Sequence, residues 1–204
     1  MVNERRDAAK RLYEVAEGQQ GFFTTKQAKA AGFAENTHPY HVQAGNWIRA
    51  YRGIYRLANF PQAERPDLML WFLWSRNREE IPQGVYSYQT ALSLYDLSDT
   101  MPAKLQMTVP LEFRRNSEIP RVLILHHADI RESDIEIIHG VRVTKPIRTI
   151  LDILAQGEMP VAELRQALRE GLRRGIIRRG EIAEARKRIG ESKQLRASFE
   201  RVAA

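Results

Sequence analysis

The stretch Gly21–Leu57, GFFTTKQAKAAGFAENTHPYHVQAGNWIRAYRGIYRL, decides how the chain is read. Thr24 or Thr25 can cap a helix, because a hydroxyl accepts a bond from a free first-turn N–H. In Lys26–Ala31, Ala28 and Ala31 fall on one face, and Gly32 can take the left-handed conformation that ends a helix. Phe33 is placed to plug a core. Asn36 or Thr37 caps a second helix with Pro39 in its first turn, where a missing N–H costs nothing. That helix runs to about Ala44 and stops at Gly45, with Val42 as its expected inward residue. Trp47 to Arg56 then reads as a hairpin, with Gly53 supplying the turn. Two short helices and a basic ribbon in this order form a helix-turn-helix followed by a wing.

The polar face of the second helix carries Thr37, His38, Tyr40, His41 and Gln43, which suits a groove better than a core. Arg49, Arg52 and Arg56 of the ribbon, with Lys26, are the expected phosphate contacts. Tyr51 and Tyr55 lie beside them. Two histidines this close raise the question of a metal, but no Cys or carboxylate stands at ligand spacing.

Bulk properties set outer bounds. The chain has 204 residues, no Cys and 43% hydrophobic residues, enough for a packed core. Disulfides and Cys-ligated metals are excluded, and a reducing cytoplasm fits. The charged start MVNERRDAAKR is no signal peptide, and the apolar run Leu68–Trp74 is too short to span a bilayer, so no membrane is expected. The net charge is +7 and unevenly spread. Residues 1–60 carry 9 Lys+Arg against 5 Asp+Glu, residues 61–162 carry 11 against 14, and residues 163–190 carry 9 against 4. Basic ends around a slightly acidic middle imply an anionic partner.

The rest of the chain gives an α+β class, with a break near residue 60. Residues 4–17 predict an amphipathic support helix with Ala8, Leu12, Val15 and Ala16 inward and Arg5, Arg6, Lys10 and Arg11 outward. Asn59–Pro66 reads as a connector. Residues 67–78 are apolar around most of a helix and predict one buried between the two halves. Beyond it come a β-like entry at 84–87, a capped helix at 88–94, strands at 105–109 and 121–126, and a hairpin over 134–138 and 141–144. Helices are expected at 146–154, 160–173 and 180–189, and a weakly helical, mobile tail at 191–204. The expected organisation is a winged helix-turn-helix over 1–60, then a mixed α/β domain over 61–204 with a small sheet of about four strands flanked by helices.

Four ordered blocks carry a resemblance. They are the 21–57 stretch, SYQTALSLYDLSDTMPAKLQMTVP (87–110), GVRVTKPIRTILDIL (140–154) and LRQALREGLRRGII (164–177). Together they resemble the AbiEi antitoxins of type IV toxin–antitoxin systems. The resemblance implies a winged helix that binds double-stranded DNA at inverted repeats in its own promoter and represses the operon. It also implies a C-terminal domain that counteracts a nucleotidyltransferase-like toxin without a stable complex. The absence of a coiled-coil heptad favours a monomer binding cooperatively on DNA.

A second basic set is Arg165, Arg169, Arg173, Arg174, Arg178 and Arg179. The first three recur at i, i+4 and i+8, so they line one helix face. It reads either as a solvated face partnered by Glu163 and Glu170, or as a second nucleic-acid contact or the surface used against the toxin. No nucleophile elbow, phosphate loop or metal motif is present, so no enzyme and no cofactor are expected. The alternative is a nucleic-acid-processing enzyme with a winged-helix targeting domain, for which His126, His127 and Asp129 at a strand end are the candidates.

Overall fold

The computed structural model describes every residue except Met1, Thr100, Met101, Ser117 and Glu191, and says nothing of the side chains of Val2, Asn3 and Arg5. The outward placement expected of Arg5, and the start of the expected tail at residue 191, therefore lie outside the described residues. Contacts divide the chain into two units, Met1–Gln83 with His139–Val141, and Gly84–Ile138 with Arg142–Ala204. The expected break near residue 60 falls inside the first unit.

In the first unit, α1 (Val2–Glu17) precedes β1 (Phe22–Thr24), α2 (Thr25–Ala31), a 3-10 turn (Glu35–Thr37), α3 (His38–Gln43), β2 (Trp47–Tyr51), β3 (Ile54–Leu57) and α4 (Pro66–Trp74). The sheet order is β1-β3-β2, antiparallel throughout, with Phe22 opposite Arg56 and Trp47 opposite Leu57. A two-residue turn, Arg52-Gly53, joins β2 to β3, and a bulge at Ala50 twists the ribbon. Gly53, at φ +71°, takes the left-handed position of that turn.

Local chemistry explains these boundaries. Thr24 caps α2: its hydroxyl accepts from the Gln27 N–H at 3.2 Å, and the Gln27 amide oxygen accepts from the Thr24 N–H at 2.9 Å. Gly32, at φ +110°, closes the helix. Leu12 and Ala16 of α1 meet Phe23, Ala28, Ala31 and Trp47 in the core, with Phe33, Val42, Tyr55 and Leu57 around them. Each large apolar side chain buried there contributes roughly 1.5–3 kcal/mol. Arg11, expected on the outer face of α1, donates to the Ala31 carbonyl at 2.8 and 3.0 Å and so closes the end of α2. The apolar helix α4, expected between two halves, packs on β1 and β3 within this unit and buries Leu68, Met69, Leu73 and Trp74.

The second unit carries β4 (Val85–Tyr86), α5 (Tyr88–Leu94), β5 (Leu105–Val109), β6 (Leu123–His127), β7 (Ile135–Ile138), β8 (Val141–Thr144), α6 (Pro146–Gln156), α7 (Val161–Arg173), α8 (Arg179–Arg188) and α9 (Lys193–Ala203). Its sheet has five strands in the order β6-β5-β4-β8-β7, where about four were expected. β4 is antiparallel to β5 and parallel to β8, and β5 is parallel to β6. Periodicity predicts an inner stripe of Ile147, Ile150, Leu151 and Leu154 in α6; the structure buries Ile147, Ile150 and Ile153 and half-buries Leu151 and Leu154, while in α7 Leu164, Ala167 and Leu168 are buried as the periodicity predicts. The tail expected to be mobile is instead α9, packed on α7 with Phe199 and Val202 fully buried. Fold class is mixed α+β throughout.

Candidate nucleic-acid interface

α3 is short, six residues, and its faces differ from the sequence expectation. Tyr40 is 66% exposed, and Pro39, Gln43 and Ala44 are exposed beside it. His38, expected to face bases, is 1% exposed. It stands edge-on to Trp47 at 5.2 Å and to Tyr55 at 5.7 Å, and its Nε2 lies 3.3 Å from the Phe33 carbonyl. His38, more than the half-buried Val42, is the inward residue of the helix. This is a correction with a physical cause: an imidazole packs as an aromatic ring where a carbonyl meets one of its nitrogens.

His41 is half-buried and lies flat on Trp47, with ring centroids 4.5 Å apart. Burial, and secondarily the neighbouring His38, lower its pKa and so favour the neutral imidazole. Thr37 is half-buried and its hydroxyl donates to the Ala34 carbonyl at 2.6 Å. Tyr40 and Gln43 are the two expected base-facing side chains that α3 leaves exposed.

The cations of the wing divide in the same way. Arg49 and Arg52 are exposed, and neither has an ion-pair partner among the described residues. Arg52 stands on the tight turn itself. Arg56 is different: its guanidinium donates to the carbonyls of Phe60 and Pro61 at 2.7 and 2.8 Å and pins the connector. That engagement competes with the phosphate role expected of Arg56. Lys26 follows the α2 cap. The wing turn reaches it, since the Gly53 carbonyl accepts from the Thr25 N–H at 3.1 Å. The Lys26 ammonium donates to the Arg78 carbonyl at 2.7 Å and lies 3.8 Å from Glu80.

A groove of about 750 Å³ runs along this unit, lined by Tyr13, Phe33, Tyr40, His41, Trp47 and Phe60 among others. It is aromatic and carries none of the wing cations.

The second arginine set is mostly engaged internally. Arg165 donates to the Arg201 carbonyl at 2.6 and 3.0 Å, tying α7 to α9. Arg173 pairs with Glu170 at 2.6 and 2.8 Å, and Arg174 reaches the carbonyls of Tyr95 and Asp96. Arg169, Arg178 and Arg179 are exposed. The pocket of about 640 Å³ that Arg165, Arg169 and Arg173 line also holds Asp96, Asp99 and Glu170. The Arg173–Glu170 pair fits the reading of a solvated face with Glu170 as a partner, and the pocket lining is mixed in charge.

His126 lies on Tyr88 with ring centroids 3.8 Å apart, and burial lowers its pKa. Such a stack holds the ring in place. Among the described residues no cluster of His, Asp and Glu could hold a metal ion, and no helix is long and apolar enough to cross a membrane.

Sequence reasoning missed two features here. Glu80, which gathers the cations at the base of the wing, left no sequence signal except its place in the charged run RNREE. The packing of His38 and His41 against Trp47, one edge-on and one stacked, was hidden because histidine reads as polar in a periodicity count.

Comparison with known proteins adds three findings. Residues 10–58 match the family model described as transcriptional regulator, AbiEi antitoxin. No curated protein matches the chain. Among solved structures, the crystal structure of RV2827C protein from Mycobacterium tuberculosis is similar at 10% sequence identity and a TM-score of 0.49, covering 95% of this chain and 81% of that one. The family match spans α1 from Lys10, the helix-turn-helix and the whole wing, so it is this N-terminal segment that is similar to the AbiEi antitoxin transcriptional regulators.

Proposed function

We propose that the protein is an autoregulating repressor of its own toxin–antitoxin operon, and the type IV antitoxin against a nucleotidyltransferase-like toxin. The first unit, with its wing, binds double-stranded DNA at inverted repeats upstream of the operon. Two monomers fill the repeats cooperatively. The second unit counteracts the toxin without forming a stable complex with it. The protein acts in the cytoplasm and performs no catalysis of its own.

The observation that carries the DNA reading is Arg52, exposed and unpaired on a tight wing turn hydrogen-bonded to the start of α2. Phosphate contacts from such a ribbon position the protein, and Tyr40 and Gln43 of α3 are then the side chains available to base edges. Arg169, Arg178 and Arg179 are the cations of the second unit left for a toxin-directed or nucleic-acid surface.

The test is a gel shift of the purified protein on its own upstream DNA against scrambled DNA, at two salt concentrations. A specific, stepwise shift is expected. Equal, salt-sensitive binding to both DNAs would reduce the protein to a general nucleic-acid binder, and no binding at either salt would remove the repressor reading. Co-expression with the neighbouring gene tests the antitoxin half: growth should be rescued, and the two proteins should not co-purify.

A further inference from the structure

Beyond α4, the chain makes a small loop that belongs to the first unit and ends against the wing. The Asn77 amide oxygen accepts from the N–H groups of Glu79 and Ile81, both at 3.0 Å, and the Asn77 N–H donates to the Ile81 carbonyl at 2.9 Å. Arg76 and Pro82 bridge its ends. Within it Glu80 has φ +65°, a backbone state that favours glycine. A glutamate held there points its carboxylate at three groups. The Thr24 hydroxyl donates to it, Arg76 Nε lies 3.2 and 3.3 Å from its two oxygens, and Lys26 Nζ lies 3.8 Å away. Arg76 also reaches the Gly53 carbonyl of the wing turn at 3.4 Å.

The two cations are not held alike. The Arg76 side chain is 12% exposed and close to the carboxylate. The Lys26 side chain is 60% exposed, donates to the Arg78 carbonyl at 2.7 Å and stands at the edge of ion-pair distance from Glu80. Thr24 and Arg76 satisfy the carboxylate without Lys26. An exposed ammonium in a loose ion pair keeps N–H donors beyond the one given to the Arg78 carbonyl, and can take another anion at small cost. On the reading that the wing contacts DNA, that anion is a backbone phosphate.

We propose that Glu80 is an internal counter-ion that competes with DNA phosphate for Lys26 and so weakens the backbone contact at the base of the wing. The carboxylate acts twice. It attracts Lys26 in the free protein, beside the Arg78 carbonyl that accepts from the same ammonium, and its charge repels the phosphate that Lys26 would take. Both effects act at every sequence alike, so Glu80 limits non-specific affinity, the term that phosphate contacts dominate. The inference rests on the DNA-binding reading of the first unit.

The experiment is a double-mutant cycle of Glu80→Gln and Lys26→Gln, measured as Kd on upstream and scrambled DNA at two salt concentrations. Glutamine keeps the shape of Glu80 and an acceptor for the Thr24 hydroxyl. Glu80→Gln should bind both DNAs roughly 3- to 10-fold more tightly at low salt, with the gain shrinking as salt screens the charge. In the Lys26→Gln background most of that gain should vanish. An unchanged or weaker Kd for Glu80→Gln would overturn the proposal. So would an equal gain in both backgrounds, which would be a general charge effect. Should Glu80→Gln unfold, Glu80→Asp serves: it keeps the charge but draws it back by one methylene, and a gain of about twofold is expected at low salt, with no gain refuting the proposal. Wild-type protein that binds neither DNA would instead defeat the reading beneath it.

Discussion

The wing and the second unit are both rich in arginine, and they use it differently. Arg49 and Arg52 extend from a two-stranded ribbon and meet no partner among the described residues. Arg148, Arg165, Arg174 and Arg188 of the second unit each end on a carboxylate or a carbonyl of the fold. A tight turn has no neighbouring layer to supply acceptors, whereas helix ends and loops around a sheet are full of unsatisfied carbonyls. Charge counted along a sequence is therefore not charge available to a ligand. The comparison makes a double prediction: arginines of the second unit should matter to stability, and those of the wing to binding.

The largest effect is expected at the centre of the second unit. Asp134 is 4% exposed and takes two bonds from Arg188 and one, at 3.4 Å, from Arg148, which also holds Asp152 at 2.8 Å. Asp134→Ala leaves two partly buried guanidiniums short of a partner, and a loss of about 2–4 kcal/mol is expected, read by urea unfolding. The pH dependence follows from the shift. Burial pushes the Asp134 carboxyl up, but Arg188 and Arg148 outweigh it and hold the pKa below the usual carboxylate range. A depressed carboxyl contributes stability that is present above its unfolded pKa, about 4, and is lost as pH falls through the folded value. Asp152 works in the opposite sense, since burial raises it despite Arg148. The gap in stability between wild type and Asp134→Ala should be full at pH 6–7 and narrow below about pH 4. A gap independent of pH would mean that the pair contributes packing alone.

Next comes binding. Arg49→Ala with Arg52→Ala should weaken the protein on every DNA sequence, by roughly 10- to 100-fold near 0.1 M salt, and flatten the log–log salt slope by about 2. Thermal unfolding should barely change, because neither side chain holds the fold. Retention of wild-type affinity and slope would remove the wing from the interface.

Much of this arrangement was legible beforehand, and the failures have physical reasons. The helix-turn-helix boundaries followed from a capping threonine, Gly32 and Pro39, each a local backbone constraint that tertiary context seldom overrides. The stripes of α6 and α7 followed from periodicity. β1 escaped because three residues, FFT, are too few to show alternation, and it exists only by pairing with β3. α9 was expected as a weak helix, but its docking escaped because its composition is largely polar; two buried residues, Phe199 and Val202, dock it on α7. In the site, Lys26, Tyr40, Gln43, Arg49 and Arg52 could be selected from sequence as polar residues on the right elements. His38, Arg56 and Arg165 could not be rejected from sequence, because a buried imidazole and a guanidinium on a carbonyl look like any other polar residue until the acceptor is in place.

Arg56 and Arg165 give the smallest and most discriminating effect. Arg56 was expected at a phosphate, and a nucleic-acid surface was one of the readings open for Arg165; both donate to main-chain carbonyls: Arg56 to Phe60 and Pro61, Arg165 to Arg201. A side chain holding a partly exposed carbonyl contributes about 0.5–1.5 kcal/mol, so each alanine variant should lose about that much in urea unfolding. The salt slope on DNA should stay at the wild-type value in both, because neither guanidinium releases a counterion on binding. A slope reduced by about 1 in Arg56→Ala, with stability intact, would show that Arg56 leaves the connector for a phosphate, and the wing would then carry three DNA-contacting arginines in place of two.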